Sequence, residues 1–119
     1  MDMTKPQLAK GETYIGLIGD ADGNTYHAIL LPGDNDAATF EAALAWAKSL
    51  GGDLPSRIEQ AMLLDRFRDQ LRKGKYWSNE THPVCSNCAR SQSFYNGNQS
   101  ITRKADKIRA IAVRRLVIE

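Results

Sequence analysis

The sequence predicts an α+β domain, because strand-like and helix-like stretches are grouped along the chain rather than alternating. Two stretches rich in strand-forming residues come first, two stretches with helical spacing follow, and further strand-like stretches fill the C-terminal half. The length of 119 residues suits one domain. We expect a flexible lead-in over residues 1–11, which show no periodic pattern, and a single folded domain over residues 12–119.

The first predicted element is a β-hairpin. Residues 13–18 and 25–31 are rich in Tyr, Ile and Thr, which strands favour. Between them, the Asp-Gly-Asn run at residues 22–24 has turn chemistry, because glycine accepts a positive φ without steric cost. Pro32 and Gly33 then end the second strand.

A first helix is predicted after the hairpin, with Asp36 placed to cap its N-terminus through the side-chain carboxylate. Apolar residues three and four positions apart give this helix one buried face. The residues of that face are Phe40, Ala43, Leu44 and Ala47. Gly51 and Gly52 end the helix, because glycine adopts the left-handed conformation of a helix C-terminus at little cost.

A capping box predicts the start of a second helix. Ser56 and Glu59 have the spacing at which each side chain accepts a hydrogen bond from the backbone N–H of the other. We expect this helix to cover residues 57–73, since Arg72 and Lys73 suit the negative end of the helix dipole. The side chains predicted to face the core are Ile58, Ala61, Met62, Leu64, Phe67 and Leu71.

The C-terminal half is predicted to consist of strands. Residues 75–79, 90–95 and 99–104 have strand composition, and an Asn-Gly pair between the last two is a strong hairpin signal. Residues 80–89 contain a proline and are predicted to be a loop. The last stretch, residues 108–118, has many β-branched residues and few polar gaps, which is typical of a long strand in the middle of a sheet.

The overall composition excludes two classes of protein. Hydrophobic residues make up 42% and charged residues 25% of the chain, a globular mixture rather than a disordered one. No apolar run approaches the roughly 18 residues that a membrane span requires. The first residues lack the apolar centre of a signal peptide, so we expect an intracellular protein.

Four short motifs resemble those of a known family. They are GDLPSRIE at residues 52–59, YWSN at 76–79, FYNGNQ at 94–99 and RAIAVRR at 109–115. Together they resemble the Lcl C-terminal-domain-like family of bacterial and prophage proteins. The likeness runs from about residue 12 to residue 116, but residues 81–89 match none of the family's motifs.

The resemblance implies a C-type-lectin-like fold, with two helices beside a twisted antiparallel sheet and with the termini close together. It implies no enzymatic activity. We therefore expect a phage or prophage accessory protein, located in the cytoplasm of the bacterial host or on the virion. Such a protein would act by binding a protein partner, for example by inhibiting a host defence complex or a nucleic-acid-handling complex.

Two surfaces are candidates for partner binding. The hairpin near residue 96 combines adaptable amides with an aromatic ring, and C-type-lectin-like domains tend to present ligand loops from this part of the chain. Its candidate residues are Tyr95, Asn96, Asn98 and Gln99. The second surface is acidic, since residues 1–56 carry three Lys and Arg against eight Asp and Glu. Its candidate residues are Asp20, Asp22, Asp34 and Asp36, which would contact a basic partner.

The basic C-terminal half supports a second hypothesis, a nucleic-acid-binding module. Its candidate residues are Arg90, Arg103, Lys104, Lys107, Arg109, Arg114 and Arg115. Because side chains alternate along a strand, these residues do not form one continuous stripe. The alternative is that Arg109 and Arg114 pair with carboxylates such as those of Asp53 and Glu59.

A third hypothesis is a small zinc-binding domain. His82, Cys85 and Cys88 form an HxxCxxC run, and imidazole and thiolate are zinc ligands, although a closed structural site needs four. The alternative, which a cytosolic setting favours, is a loop with two reduced thiols and no cofactor. The sequence contains neither a glycine-rich phosphate loop nor a hydrolase signature, so we expect no catalysis.

Overall fold

A computed structural model describes residues 4–118 and has the α+β composition that the sequence predicts. The strands are β1 (Thr13–Gly19), β2 (Thr25–Leu30), β3 (Asn35–Ala38), β4 (Lys75–Thr81), β5 (Cys88–Ser93), β6 (Gln99–Arg103), β7 (Ile108–Ala110) and β8 (Val113–Ile118). The helices are α1 (Phe40–Ser49) and α2 (Arg57–Phe67), and a 3₁₀ turn (Arg68–Gln70) follows α2. No helix in this part of the chain is both long and apolar enough to cross a membrane.

The strands form two sheets. The smaller sheet is antiparallel, with the order β1-β2-β8. The larger sheet has the order β3-β7-β4-β5-β6 and is antiparallel except where β4 and β7 run parallel, at Tyr76 and Arg109. The chain therefore passes between the two sheets more than once, and its C-terminal strands are shared between them.

The predicted long strand over residues 108–118 is wrong, because the chain breaks at Ile111 and Ala112 into β7 and β8. The Leu31 N–H donates to the Ala112 carbonyl, and Asp53 and Val113 exchange two backbone hydrogen bonds, which hold the crossover in place. β8 consequently lies at an edge of the smaller sheet rather than in the middle of a large one. Its β-branched composition suits either position, so composition does not distinguish them.

The predicted cap of α1 is also wrong. Asp36 belongs to β3, and the N-cap is Thr39, whose hydroxyl accepts a hydrogen bond from the Ala42 N–H at 3.3 Å. The predicted inner face is confirmed. Phe40, Ala43 and Ala47 are buried and Leu44 is partly buried. The helix ends at Ser49, and Gly51, one of the two glycines predicted to end it, follows the C-cap with a φ of 81°.

The second helix starts at the predicted capping box but ends at Phe67, earlier than the predicted residue 73. Its buried face is rotated from the predicted one. The buried residues of α2 are Glu59, Gln60 and Leu63. Ile58 and Ala61, predicted to face the core, are exposed. Met62, Leu64, Phe67 and Leu71, also predicted to face the core, are partly buried against it.

Buried partners explain this rotation. The Gln60 amide donates to the carbonyls of Tyr76 and Trp77 at 3.2 and 3.1 Å, and the Glu59 carboxylate binds Arg115. A polar side chain can occupy a core position when hydrogen bonds are supplied there, as they are for the Gln60 amide nitrogen but not for its Oε1, which has no partner in the described residues. Apolar periodicity does not detect such positions.

The core has two parts on opposite faces of β4. Adjacent side chains of a strand point to opposite faces. Trp77 packs edge-on against Phe40 in the cluster under α1, and Tyr76 packs edge-on against Phe94 in the cluster under α2. The Trp77 indole N–H donates to the Ala38 carbonyl at 2.7 Å, which satisfies its buried polar atom. β4 therefore positions both helices.

Candidate recognition cleft

A cleft of about 660 Å³ lies where the β1–β2 turn, the first turn of α2 and the start of β6 meet. We call this cleft the recognition cleft. The lining residues that matter for its chemistry are Asp20, Tyr26, Arg57, Ile58, Glu80 and Gln99. They come from β2, β4 and β6, from α2 and from one turn, so only the tertiary fold brings them together.

Apolar side chains form one wall of the recognition cleft. Ile58 is 58% exposed in the first turn of α2, and Ala61 lies one turn further along the same helix. Ile18 and Tyr26, which are cross-strand partners in β1 and β2, line the cleft as well. An exposed aliphatic side chain beside a concave surface is a natural contact for an apolar group of a partner.

Polar groups from three elements form the other wall. The Arg57 Nη2 donates to the Gln99 Oε1 at 3.2 Å, and the Arg57 backbone N–H donates to the Glu80 Oε2 at 2.8 Å. The Arg57 Nε is buried and has no hydrogen-bond partner in the described part of the chain. Because most buried N–H groups are paired, Arg57 has unused capacity to donate a hydrogen bond.

Asp20 places a carboxylate at the rim. Its Oδ1 accepts hydrogen bonds from the backbone N–H groups of Asn24 and Asp22, both at 2.9 Å. These bonds, that from Asn24 above all, hold the pKa of Asp20 below its ordinary value, so the group is ionised at neutral pH. Asp22 lies in the same turn but does not line the cleft.

A partly buried ionic network adjoins the recognition cleft through Tyr26, which lines the cleft. Arg115 donates to both oxygens of Glu59 at 2.7 and 2.8 Å and to the Asp53 Oδ2 at 2.8 Å. The Tyr26 hydroxyl donates to the Glu59 Oε2 at 2.9 Å. The network thus joins the start of α2 to β2 and β8. Through the bond to Glu59 it orients the side chain of Tyr26, which lines the cleft.

The members of this network keep their charges. Burial is the largest single influence on Glu59 and raises its pKa, but the hydrogen bonds from Arg115, Ser56 and Tyr26 and the charge of Arg115 together leave that pKa below its ordinary value. The hydrogen bond to Glu59 raises the pKa of Arg115. Burial and then the charge of Glu59 raise the pKa of Tyr26, so its hydroxyl remains protonated and can donate.

The four predicted acidic contacts do not form one surface. Asp20 lines the recognition cleft, and Asp22 lies in the adjoining turn. Asp34 and Asp36 instead form ion pairs with Arg72, the former at 2.9 Å. Two of the four carboxylates are therefore compensated by one arginine of the chain itself.

The predicted binding hairpin also divides. Gln99 lines the recognition cleft, whereas the exposed Tyr95 lies under the Lys73 ammonium, 5.4 Å from its ring centre. The Asn96 Oδ1 accepts a hydrogen bond from the Asn98 N–H at 3.0 Å, so this amide shapes the turn. Of the predicted hairpin residues, only Gln99 takes part in the cleft.

The arginines of the last strand form ion pairs, but not the predicted ones. Arg114 binds Glu12 through two hydrogen bonds of 2.7 and 2.8 Å, which lower the pKa of Glu12 to about 2. Arg115, rather than Arg109 or Arg114, binds Asp53 and Glu59. The reason is the alternation of side chains in β8, which puts Arg115 on the face towards α2 and Arg114 on the opposite face.

The prediction of two reduced thiols in the HxxCxxC loop is wrong. Cys85 and Cys88 form a disulfide, with their Cα atoms 5.3 Å apart. The His82 Nδ1 accepts hydrogen bonds from the N–H groups of Val84 and Cys85. His27 is bonded elsewhere, to the Tyr14 hydroxyl at 2.7 Å. Residues 4–118 contain no group of three or more His, Cys, Asp or Glu placed to hold a metal ion.

The disulfide should contribute modest stability, because it closes a loop of only a few residues. We expect the Cys85→Ser, Cys88→Ser double variant to lose about 2 kcal/mol of unfolding free energy. Urea unfolding followed by tryptophan fluorescence would measure the loss, since Trp77 is buried. A dithiol reductant should destabilise the wild type equally and leave the double variant unchanged. A reductant effect on the double variant would contradict this explanation.

Of the six cleft residues named above, sequence reasoning missed four: Tyr26, Arg57, Ile58 and Glu80. The sequence predicts Ile58 in the core because it fits the apolar period of α2. One local signal was available for two of these residues: Arg57 and Ile58 lie between the two members of the capping box, in the first turn of α2, next to a loop. Glu80 gave no signal, because its contact with Arg57 spans 23 positions of the sequence.

No protein-family model matches this sequence, and no curated protein is significantly similar to it. The function is therefore inferred from the geometry of the cleft and from the motif resemblance.

Proposed function

We propose that this chain is a non-enzymatic recognition domain with a C-type-lectin-like fold, similar to the Lcl C-terminal-domain-like proteins of bacteria and prophages. It acts as a phage or prophage accessory protein by binding a protein partner through the recognition cleft. The expected partner belongs to a host defence or nucleic-acid-handling complex and presents a basic segment. One observation carries this proposal: the exposed Ile58 lies beside Arg57, whose Nε has no hydrogen-bond partner in the described residues. The carboxylates of Asp20 and Glu80 line the same cleft.

The positions of the motifs support this proposal. Residues 52–59 supply Ser56, Arg57 and Ile58 to the cleft, and residues 94–99 supply Gln99. Glu80 directly follows the motif at residues 76–79. The two ends of the described chain also lie close together, as expected of a C-type-lectin-like domain, since residues 4–7 line the same pocket as Val117 and Ile118.

The lining of the cleft indicates the chemistry of the partner. Ile18, Tyr26 and Ile58 suit an apolar side chain, because burying it between them removes apolar surface from water. Asp20 and Glu80 favour a basic side chain next to it. A protein segment with an apolar residue beside a lysine or arginine would complement both the apolar residues and the carboxylates of the cleft.

Replacing Ile58 with arginine tests the proposal. We expect Ile58→Arg to weaken partner binding at least tenfold, because it removes the apolar contact and adds a like charge against a basic partner. Tagged protein would capture the partner from bacterial host lysate with and without nuclease, and interferometry would give the affinity of the identified partner. Val84→Arg is the matched control, since Val84 is 88% exposed and does not line the cleft.

The expected result is one stoichiometric protein that survives nuclease and binds the wild type and Val84→Arg, but not Ile58→Arg. Thermal melts should show the same stability for both variants, because both positions are exposed. If Ile58→Arg bound the partner as tightly as the wild type, the recognition cleft would be excluded as the binding site. Capture of material that disappears with nuclease would instead favour the nucleic-acid-binding hypothesis.

A further inference from the structure

The disulfide between Cys85 and Cys88 lies where the loop after β4 enters β5. Both cysteines are partly exposed, and their neighbours Val84, Ser86 and Asn87 are exposed. The bridge spans a single turn and does not join distant parts of the chain. A thiol in solution can therefore reach the bridge, and the rest of the fold does not depend on it.

Hydrogen bonds hold this loop independently of the bridge. The Cys88 N–H donates to the Cys85 carbonyl at 3.0 Å, and the His82 N–H donates to the Cys88 carbonyl at 2.9 Å. The Lys104 N–H donates to the Asn87 carbonyl at 2.8 Å, which fastens the turn to the residue after β6. The His82 Nδ1 accepts from the Cys85 N–H at 3.1 Å. After reduction the two cysteines therefore stay neighbours, and the bridge can form again with little cost in chain entropy.

We propose that Cys85 and Cys88 form a thiol–disulfide exchange site whose oxidised and reduced states share one fold. The co-reactant is a dithiol. One thiolate of the dithiol attacks a sulfur of the bridge, the bond between the two cysteines breaks, and a mixed disulfide forms. The second thiol of the dithiol then attacks the mixed disulfide and releases the reduced loop. Two electrons and two protons pass to the cysteines, and the dithiol becomes a disulfide.

The surroundings of the two sulfurs indicate which one is attacked. Arg103 is the cross-strand partner of Cys88, and Arg90 lies two residues further along β5, so both arginine side chains share the face of Cys88. Cations favour a thiolate, and the better-stabilised thiolate leaves faster. Cys85 lies in the turn before β5, outside the paired strands. The attack therefore falls on the Cys85 sulfur, and Cys88 leaves as the thiolate.

Redox titration of the folded protein tests the exchange site. Mixtures of reduced and oxidised dithiothreitol set the potential, and alkylation followed by mass spectrometry counts the free thiols. We expect one two-electron transition from no free thiols to two, with the same midpoint whether the protein starts oxidised or reduced. The fluorescence spectrum of the buried Trp77 should be the same in both states. The Cys85→Ser, Cys88→Ser double variant is the control and should remain unalkylated throughout.

The direction of attack has its own test. A thioredoxin without its resolving cysteine stops at the mixed disulfide, which peptide mapping should place at Cys85. Arg103→Gln should slow reduction by dithiothreitol about threefold, because Cys88 becomes a poorer leaving group. Arg66→Gln is the matched control, since the Arg66 side chain is 60% exposed on α2, and it should leave the rate unchanged.

Two results would overturn the exchange site: a bridge that resists excess reduced dithiothreitol, and a reduced protein whose Trp77 spectrum is that of the unfolded chain. A mixed disulfide at Cys88, or an unchanged rate for Arg103→Gln, would overturn the assigned direction. The outcome does not depend on what the recognition cleft binds, because the experiment uses the protein without a partner.

Discussion

Replacing Arg115 with methionine is expected to lower the free energy of unfolding by about 3–5 kcal/mol, the cost of breaking a buried ion pair on one side. Glu59 is fully buried, and Arg115 donates two hydrogen bonds to it. Without Arg115 the carboxylate keeps its bond from Tyr26 and the capping bond from Ser56, but no cation compensates its charge. Chemical denaturation at neutral pH would measure the loss.

Two further variants make this prediction specific. Arg103→Met removes an arginine whose side chain is 79% exposed and 3.7 Å from Asp106, so it should cost only about 0–1 kcal/mol. Adding Glu59→Gln to Arg115→Met should restore part of the loss, because glutamine can accept the capping bond without a buried charge. If the double variant were as unstable as Arg115→Met, the loss would come from packing of the arginine stem instead.

Gly52→Ala is expected to cost about 3 kcal/mol, near the upper end for an overpacked site. A Cβ at position 52 would lie 2.5 Å from the Val113 carbonyl oxygen and 2.8 Å from the Leu31 Cδ1. That oxygen accepts a hydrogen bond from the Asp53 N–H at 2.8 Å, so it cannot move without disturbing the crossover between the sheets. Urea unfolding followed by tryptophan fluorescence would give the loss.

The neighbouring glycine is the matched control for this site. Gly51 has a φ of 81°, and a Cβ there would meet no atom within 4 Å. Gly51→Ala should therefore cost only the strain of the left-handed conformation, about 1–2 kcal/mol. A larger loss at Gly51 than at Gly52 would mean that backbone conformation, rather than close approach to Val113, explains the paired glycines.

The elements that the sequence alone determined correctly are local ones. The capping box of Ser56 and Glu59, the hairpin turn predicted at residues 22–24 and the left-handed Gly51 just after α1 all form. Each depends on contacts within about one turn of helix or one hairpin, so the responsible residues stand next to one another in the chain. The apolar face of α1 belongs to this group, because its buried residues are all apolar and follow the helical period.

Only the tertiary structure decided the arrangements that depend on distant partners. Arg115 meets Glu59 and Asp53 across 56 and 62 positions, and those bonds set which face of α2 is buried. The same holds for the split of the last strand, where Leu31 and Asp53 supply the backbone partners. Periodicity counts apolar residues, but a buried charge is tolerated wherever the fold supplies its counter-charge. For that reason the sequence placed Ile58 in the core, and only the fold exposed it in the recognition cleft.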